Sequence, residues 1–126
     1  MNAIETVKSW IDAFPTVKRL IEYRSTLSDD QKRRLDHLVE IIRWADRINE
    51  QTKTAVDERK TAACMFWGQF LGFANDHEIK ATDTRAILAK VETARKWLFE
   101  KGLIDNHDSA VNIARAVEYV AHLRWF

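Results

Sequence analysis

Two one-turn pairs, His37 with Glu40 and Glu118 with His122, could each lend a metal two ligands from one helix face. A helical di-iron or di-manganese centre asks for more, because it needs Glu-x-x-His pairs projecting together from facing helices. None of the nine Glu residues has a His three positions later. On a charged helix a single His/Glu pair serves as a surface hydrogen bond, so no metal and no cofactor are expected. Cys64 stands alone beside Ala63, Met65 and Phe66. An activated thiolate needs cations or a helix N-terminus nearby, and a zinc cluster needs further ligands. Gly-x-Ser-x-Gly, the P-loop and Gly-x-Gly-x-x-Gly are all missing, and three glycines cannot build a phosphate cradle. The chain therefore reads as a non-enzyme. A site assembled from residues distant in sequence stays open as a third alternative.

Nucleic acid is the second alternative. Ala81 to Ile104 superficially resembles a helix-turn-helix sequence, ending in Glu100-Lys101-Gly102-Leu103-Ile104. The separating turn is missing, since Val91-Glu92-Thr93 continues one apolar stripe, and no β-wing follows. Phosphate binding is driven by counterion release and needs clustered positive charge. Twenty Lys and Arg against 19 Asp and Glu leave a net charge of +1. The densest basic group, Lys32-Arg33-Arg34, is flanked by Asp29, Asp30 and Asp36, which suits a solvated helix start.

The elements that would position any site are helices. The chain has 126 residues, enough for one domain burying roughly two-thirds of its unfolded surface. A hydrophobic share of 46% with 31% charged residues is the balance of a folded globular chain. Three Gly and one Pro leave an all-β fold without its turn residues. One Cys makes no internal disulfide, and Met1-Asn2-Ala3-Ile4-Glu5 lacks the layout of a secretory signal, so a cytoplasmic setting is expected. No repeat or linker divides the chain, and a single domain over residues 1–126 is expected.

Apolar residues recur at spacings of three and four almost throughout. A helix is expected over Ala3–Phe14, with Pro15 as a kink or a new first turn, then a short helix to about Arg24. Ser28 and Gln31 have capping-box spacing, with Asp29 and Asp30 in the favourable first turn. Leu35, Leu38, Val39, Ile42 and Ala45 form the stripe that follows. Ile41, Trp44 and Ile48 widen it to an arc of roughly 220°, more than a helix with one wet face needs, so this helix is central or meets a partner. Whether this helix continues through Gln51–Thr61 is undecided. The run Ala62–Ala74 spans about 20 Å as a helix, short of the hydrocarbon core of about 30 Å, so it is expected at the centre of the bundle and not in a membrane. Thr82 or Asp83 is expected to cap the next helix, whose inner stripe is Ile87, Val91, Ala94 and Leu98. Gly102 fits a left-handed cap with Leu103 packing on Leu98. Asp105 or Asp108 opens the last helix, with Ile113, Ala114, Val117, Val120 and Ala121 inward and Trp125-Phe126 folded back. The fold expected is all-α: four long helices and a short N-terminal one in an irregular bundle.

Two features favour binding over chemistry. Cys64, Gly68 and Gly72 recur every four residues within an arc of about 80°, a flat ridge suited to close helix packing inside the chain. Helix-interior glycines cost about 1 kcal/mol each against Ala, so their presence asks for a packing reason. Trp97, beside Lys90, Thr93 and Lys101, and Trp44, beside His37 and Ile48, have the composition of interface anchors. The leading expectation is a non-catalytic adaptor, inhibitor or regulator of another protein. It would act by steric occlusion or bridging through Trp44, Ile48, Trp97, His37 and Ile41. A homodimer is the most economical cover for that apolar surplus.

Overall fold

The computed structural model describes residues 15–50, 56–105 and 109–125. Among them the chain is all-α, with no strand. The helices are α1 (Pro15–Ser25), α2 (Asp29–Glu50), α3 (Val56–Asp76), α4 (Thr84–Glu100) and α5 (Ser109–His122). The expected helix over Ala3–Phe14 lies outside the described residues. Pro15 opens α1, a position where its missing N–H costs nothing.

Local signals set the starts. At the head of α2 the Gln31 amide N–H donates to Ser28 Oγ (3.3 Å), and the Ser28 N–H donates to Gln31 Oε1 (3.0 Å). That reciprocal pair is a capping box. Asp83, not Thr82, caps α4, its carboxylate accepting from the Ala86 N–H at 3.1 Å. The last helix begins at Ser109, which is fully buried. Asp105 instead accepts a hydrogen bond from Thr16 on α1 (2.5 Å), and Asp108 lies outside the described residues.

Three helices end in one device. After α4, Leu103 N–H reaches Leu98 C=O and Gly102 N–H reaches Phe99 C=O, with Gly102 at φ +70°. The same two bonds recur after α3, from Ile79 to Ala74 and Glu78 to Asn75, and after α5, from Trp125 to Val120 and Arg124 to Ala121. All three are Schellman motifs. Only the first places glycine at the left-handed position, while Glu78 (φ 57°) and Arg124 (φ 61°) are L-residues held there.

α2 and α3 pack along each other antiparallel, which two halves of one straight helix cannot do. α2 also meets α5 over much of its length, and α4 besides. Leu35, Leu38, Ile41, Ile42, Ala45 and Ile48 are accordingly all buried. The wide arc is explained by position: α2 packs on α3, α4 and α5, and the Ala62–Ala74 helix likewise meets three others and buries six residues. α3 buries Phe66, Phe70 and Phe73 but leaves Cys64, Met65 and Gly68 exposed. In α5 the inward set is Ser109, Ile113, Ala116 and Val120. Ala121, expected inside, is exposed, because the helix is rotated toward its Ile113–Ala116–Val120 line. Trp125 stays 39% exposed, so it covers the body only in part. No described helix is long and apolar enough to cross a membrane.

The left-handed caps make a direct comparison. An L-residue in this conformation costs about 1–2 kcal/mol, partly offset because glycine gains more entropy on unfolding. Glu78→Gly and Arg124→Gly are each expected to raise the unfolding free energy by about 0.5–1 kcal/mol, and Gly102→Ala to lower it by a similar amount, measured by urea denaturation.

Candidate binding cleft

An apolar cleft of about 290 Å³ opens where α1, α2, α3 and α4 converge. Leu35 and Leu38 of α2, Phe73 of α3 and Leu98 of α4 form its buried floor. Its walls are aromatic: Tyr23 from α1 and Trp97 from α4 lie 5.6 Å apart between ring centroids, tilted by 48°. Trp97 remains 42% exposed at the lip. Gln31 and Arg34 of α2 and His77, just past α3, supply the polar lining.

His77 is held by Phe73, whose ring lies 4.3 Å away, centroid to centroid. Burial lowers its pKa below the ordinary histidine value, and Lys90 and Arg34 lower it further against an opposing pull from Asp76. The imidazole is thereby biased toward its neutral form.

The helix pair beneath the cleft is pinned by one carboxylate. Asp76, at the end of α3, has a side chain only 4% exposed. His37 Nδ1 lies 2.5 Å from its Oδ2, and Arg33 Nε donates to Oδ1 at 2.9 Å. A carboxylate in the last turn opposes the helix dipole, so it is stable there only with such partners. Burial raises the Asp76 pKa, but the hydrogen bonds from Arg33 and His37, with their charges, outweigh it and hold the carboxyl below its ordinary range.

The expected contact residues divide. Trp97 stands at the cleft. Ile41 and Ile48 are fully buried in the chain's own core, so neither can join a contact face, and the arc that argued for a second copy is filled from within. His37 turns to Asp76 rather than Glu40, and its Nε2 lies 2.8 Å from where a Cβ on Gly72 would stand. Glu40 instead accepts from Trp44 Nε1 at 2.9 Å, while the Arg43 guanidinium lies 5.3 Å from the Trp44 ring centroid. Half-buried Trp44 borders a separate dent with Arg47, Glu58 and Thr61. Tyr23 and His77 are not singled out by the sequence, and Arg34 stands out there only within the basic group Lys32-Arg33-Arg34. The only signal toward them was the unusual carboxylate at the end of α3, which marks the neighbourhood of His77.

The Cys64–Gly68–Gly72 ridge does not act as one close-packing surface. Cys64 and Gly68 are exposed, and nothing lies within 4 Å of a Cβ built on Gly68. Only Gly72 is in close contact, with His37. The Glu118 and His122 pair is exposed on α5. Among the described residues no group of three or more His, Cys, Asp or Glu is placed to hold a metal ion. Thr84–Glu100 is one continuous helix, so the segment that resembled a helix-turn-helix contains no inner turn. Lys32-Arg33-Arg34 is likewise split, Arg33 pairing with Asp30 and Asp76 while Arg34 lines the cleft.

Comparison of the chain with known protein families, with curated protein sequences and with solved structures finds no match.

The two glycines should respond oppositely. Gly68→Ala is expected to stabilise by up to about 1 kcal/mol, the helix-propensity difference, since the new methyl meets open space. Gly72→Ala is expected to destabilise, because the imidazole it strikes is held by Asp76 and must give up that bond to move. Thermal and urea denaturation of the two variants check this.

Acidification should unfold the protein for a definite reason. A carboxyl held below its ordinary pKa stabilises the fold fully above about pH 4 and loses that contribution as pH falls through the folded value. His77, also lowered, adds a loss that begins near pH 6.5, because the unfolded chain protonates first. Both act in the same direction. Asp76→Asn is expected to flatten the stability curve below about pH 4, and His77→Phe the part between about pH 6.5 and its folded value, in urea denaturation across pH.

Proposed function

We propose that this chain is a non-catalytic binding module, an adaptor, inhibitor or regulator, that docks another protein at the Tyr23–Trp97 cleft. One observation carries the reading: an open apolar cleft whose lip holds a large, part-exposed tryptophan above a buried floor. Anchors of this kind fill, or are filled by, a partner's side chain, and tryptophan and tyrosine are over-represented among them. Action is steric, since a chain bound across the cleft covers or bridges the partner's surface. The His37–Asp76 pair fits a structural role better than a catalytic one, because the second imidazole nitrogen faces the backbone at Gly72. Absence of a disulfide-forming pair favours a reducing, cytoplasmic setting.

A photo-reactive benzoylphenylalanine in place of Trp97 tests the docking in the native cell, with the same group in place of exposed Lys60 on α3 as the control. A discrete adduct is expected from position 97, absent from position 60 and lost when Tyr23→Ala is added. An adduct of twice the chain mass identifies the partner as a second copy. No adduct, or the same pattern from both positions, overturns the proposal.

A further inference from the structure

The cleft carries a charge asymmetry that its apolar floor does not require. Arg24, Arg33, Arg43 and Arg95 are each held by a carboxylate. Arg34 and Lys90, both exposed, have no ion pair or hydrogen bond among the described residues. Arg34 lines the cleft directly. Lys90 lies one turn before Ala94, on the side of α4 that the cleft uses. Both act electrostatically on His77, so their positive field converges at the cleft's imidazole. No lining side chain is acidic. Of the carboxylates adjoining the lining residues in sequence, Asp76 is engaged by Arg33 and His37, while Glu22 and Glu78 are exposed and do not line the cleft. Arg34 and an imidazole thus line one apolar opening that has no acidic side chain in its walls, with Lys90 one turn beyond its edge.

We infer that the cleft recognises an acidic, apolar segment of a partner protein: one large apolar or aromatic side chain enters it, and a neighbouring carboxylate lies between Arg34 and Lys90. This rests on the docking role proposed above and adds the sign of the partner's charge. The volume suits a single large side chain and not a whole helix. Burial of that side chain against Leu35, Leu38 and Phe73 supplies most of the affinity. The carboxylate supplies selectivity, since charge complementarity steers encounter and rejects partners of the wrong sign. A basic segment with the same apolar anchor would meet two like charges and bind more weakly.

The test uses 2-naphthylacetate and 2-naphthylacetamide, one aromatic body with and without the charge. Each is titrated into the whole protein and followed by backbone and tryptophan indole NMR signals. The acid is expected to bind about fivefold tighter than the amide, with shifts centred on Tyr23, His77 and Trp97. Arg34→Gln combined with Lys90→Gln should erase that preference, so that acid and amide bind alike. Trp97→Ala should weaken both ligands. Equal affinity of acid and amide for the unmodified protein, or binding of neither, overturns the inference. The crosslink at position 97 separates the two failures: an adduct that survives without any acid preference sinks only the charge rule, and loss of the adduct sinks the docking role as well.

Discussion

The antiparallel contact of α2 with α3 is the interaction on which the rest of the molecule depends. Its apolar part is the seam of Leu38, Ile41, Ala45 and Ile48 against the phenylalanines of α3, most of it sealed from water. Its register is specified by polar groups, because apolar side chains alone tolerate sliding by a turn. Asp76 can reach Arg33 and His37 together only when the end of α3 lies beside the start of α2. At the other end, Arg59 donates to the Ile48 carbonyl at 3.3 Å and stacks on Tyr119 of α5, 4.0 Å from the ring centroid. Gly72 is the permissive element between these fixed points, since a methyl there would displace His37. The cleft inherits its floor from this pairing, because Leu35, Leu38 and Phe73 are neighbours only in this register.

Much of the helical framework was legible because its signals are local. Ser28 with Gln31, Gly102 with Leu103, and Asp83 each act within one turn of chain, so spacing alone predicts them. The left-handed residues Glu78 and Arg124 were not legible. Neither is glycine, and the conformation follows from what Ile79 and Trp125 do next rather than from residue type. The α5 register was misjudged by a small rotation because alanines carry little pattern: Ala114, Ala116 and Ala121 look alike, and only packing against α2 separates buried Ala116 from exposed Ala121.

α3 has the greasiest sequence, yet its Cys64–Met65–Gly68 side is exposed, and α2, rich in charges, buries as many residues, six each. Hydropathy counts residues, whereas enclosure depends on packing: both helices meet three others, and α2 packs on α5 more extensively than α3 does. The same logic moved Ile41 and Ile48 from an expected surface into the core. Their width of arc was real evidence, but of internal neighbours. Of the candidate site, Trp97 was legible from its place among Lys90, Thr93 and Lys101. Tyr23, Arg34 and His77 join it only through tertiary contact between four helices.

The wall formed by α1 is held differently from the rest. Thr16 is its only buried residue; half-buried Leu20 and Tyr23 pack on the core, and polar ties join Thr16 to Asp105, Arg19 Nε to the Gly102 carbonyl at 3.0 Å, and Arg24 to Asp36 in a two-bond pairing. The exposed Arg24–Asp36 ion pair contributes little, and less in salt. The floor, in contrast, is buried Leu35, Leu38, Phe73 and Leu98, whose truncation would open cavities costing about 2–5 kcal/mol per side chain. α1 is thus the lightly buried wall of the cleft, and the α2–α3 seam beneath it the deeply buried one, so local opening costs less at Tyr23 than at the floor.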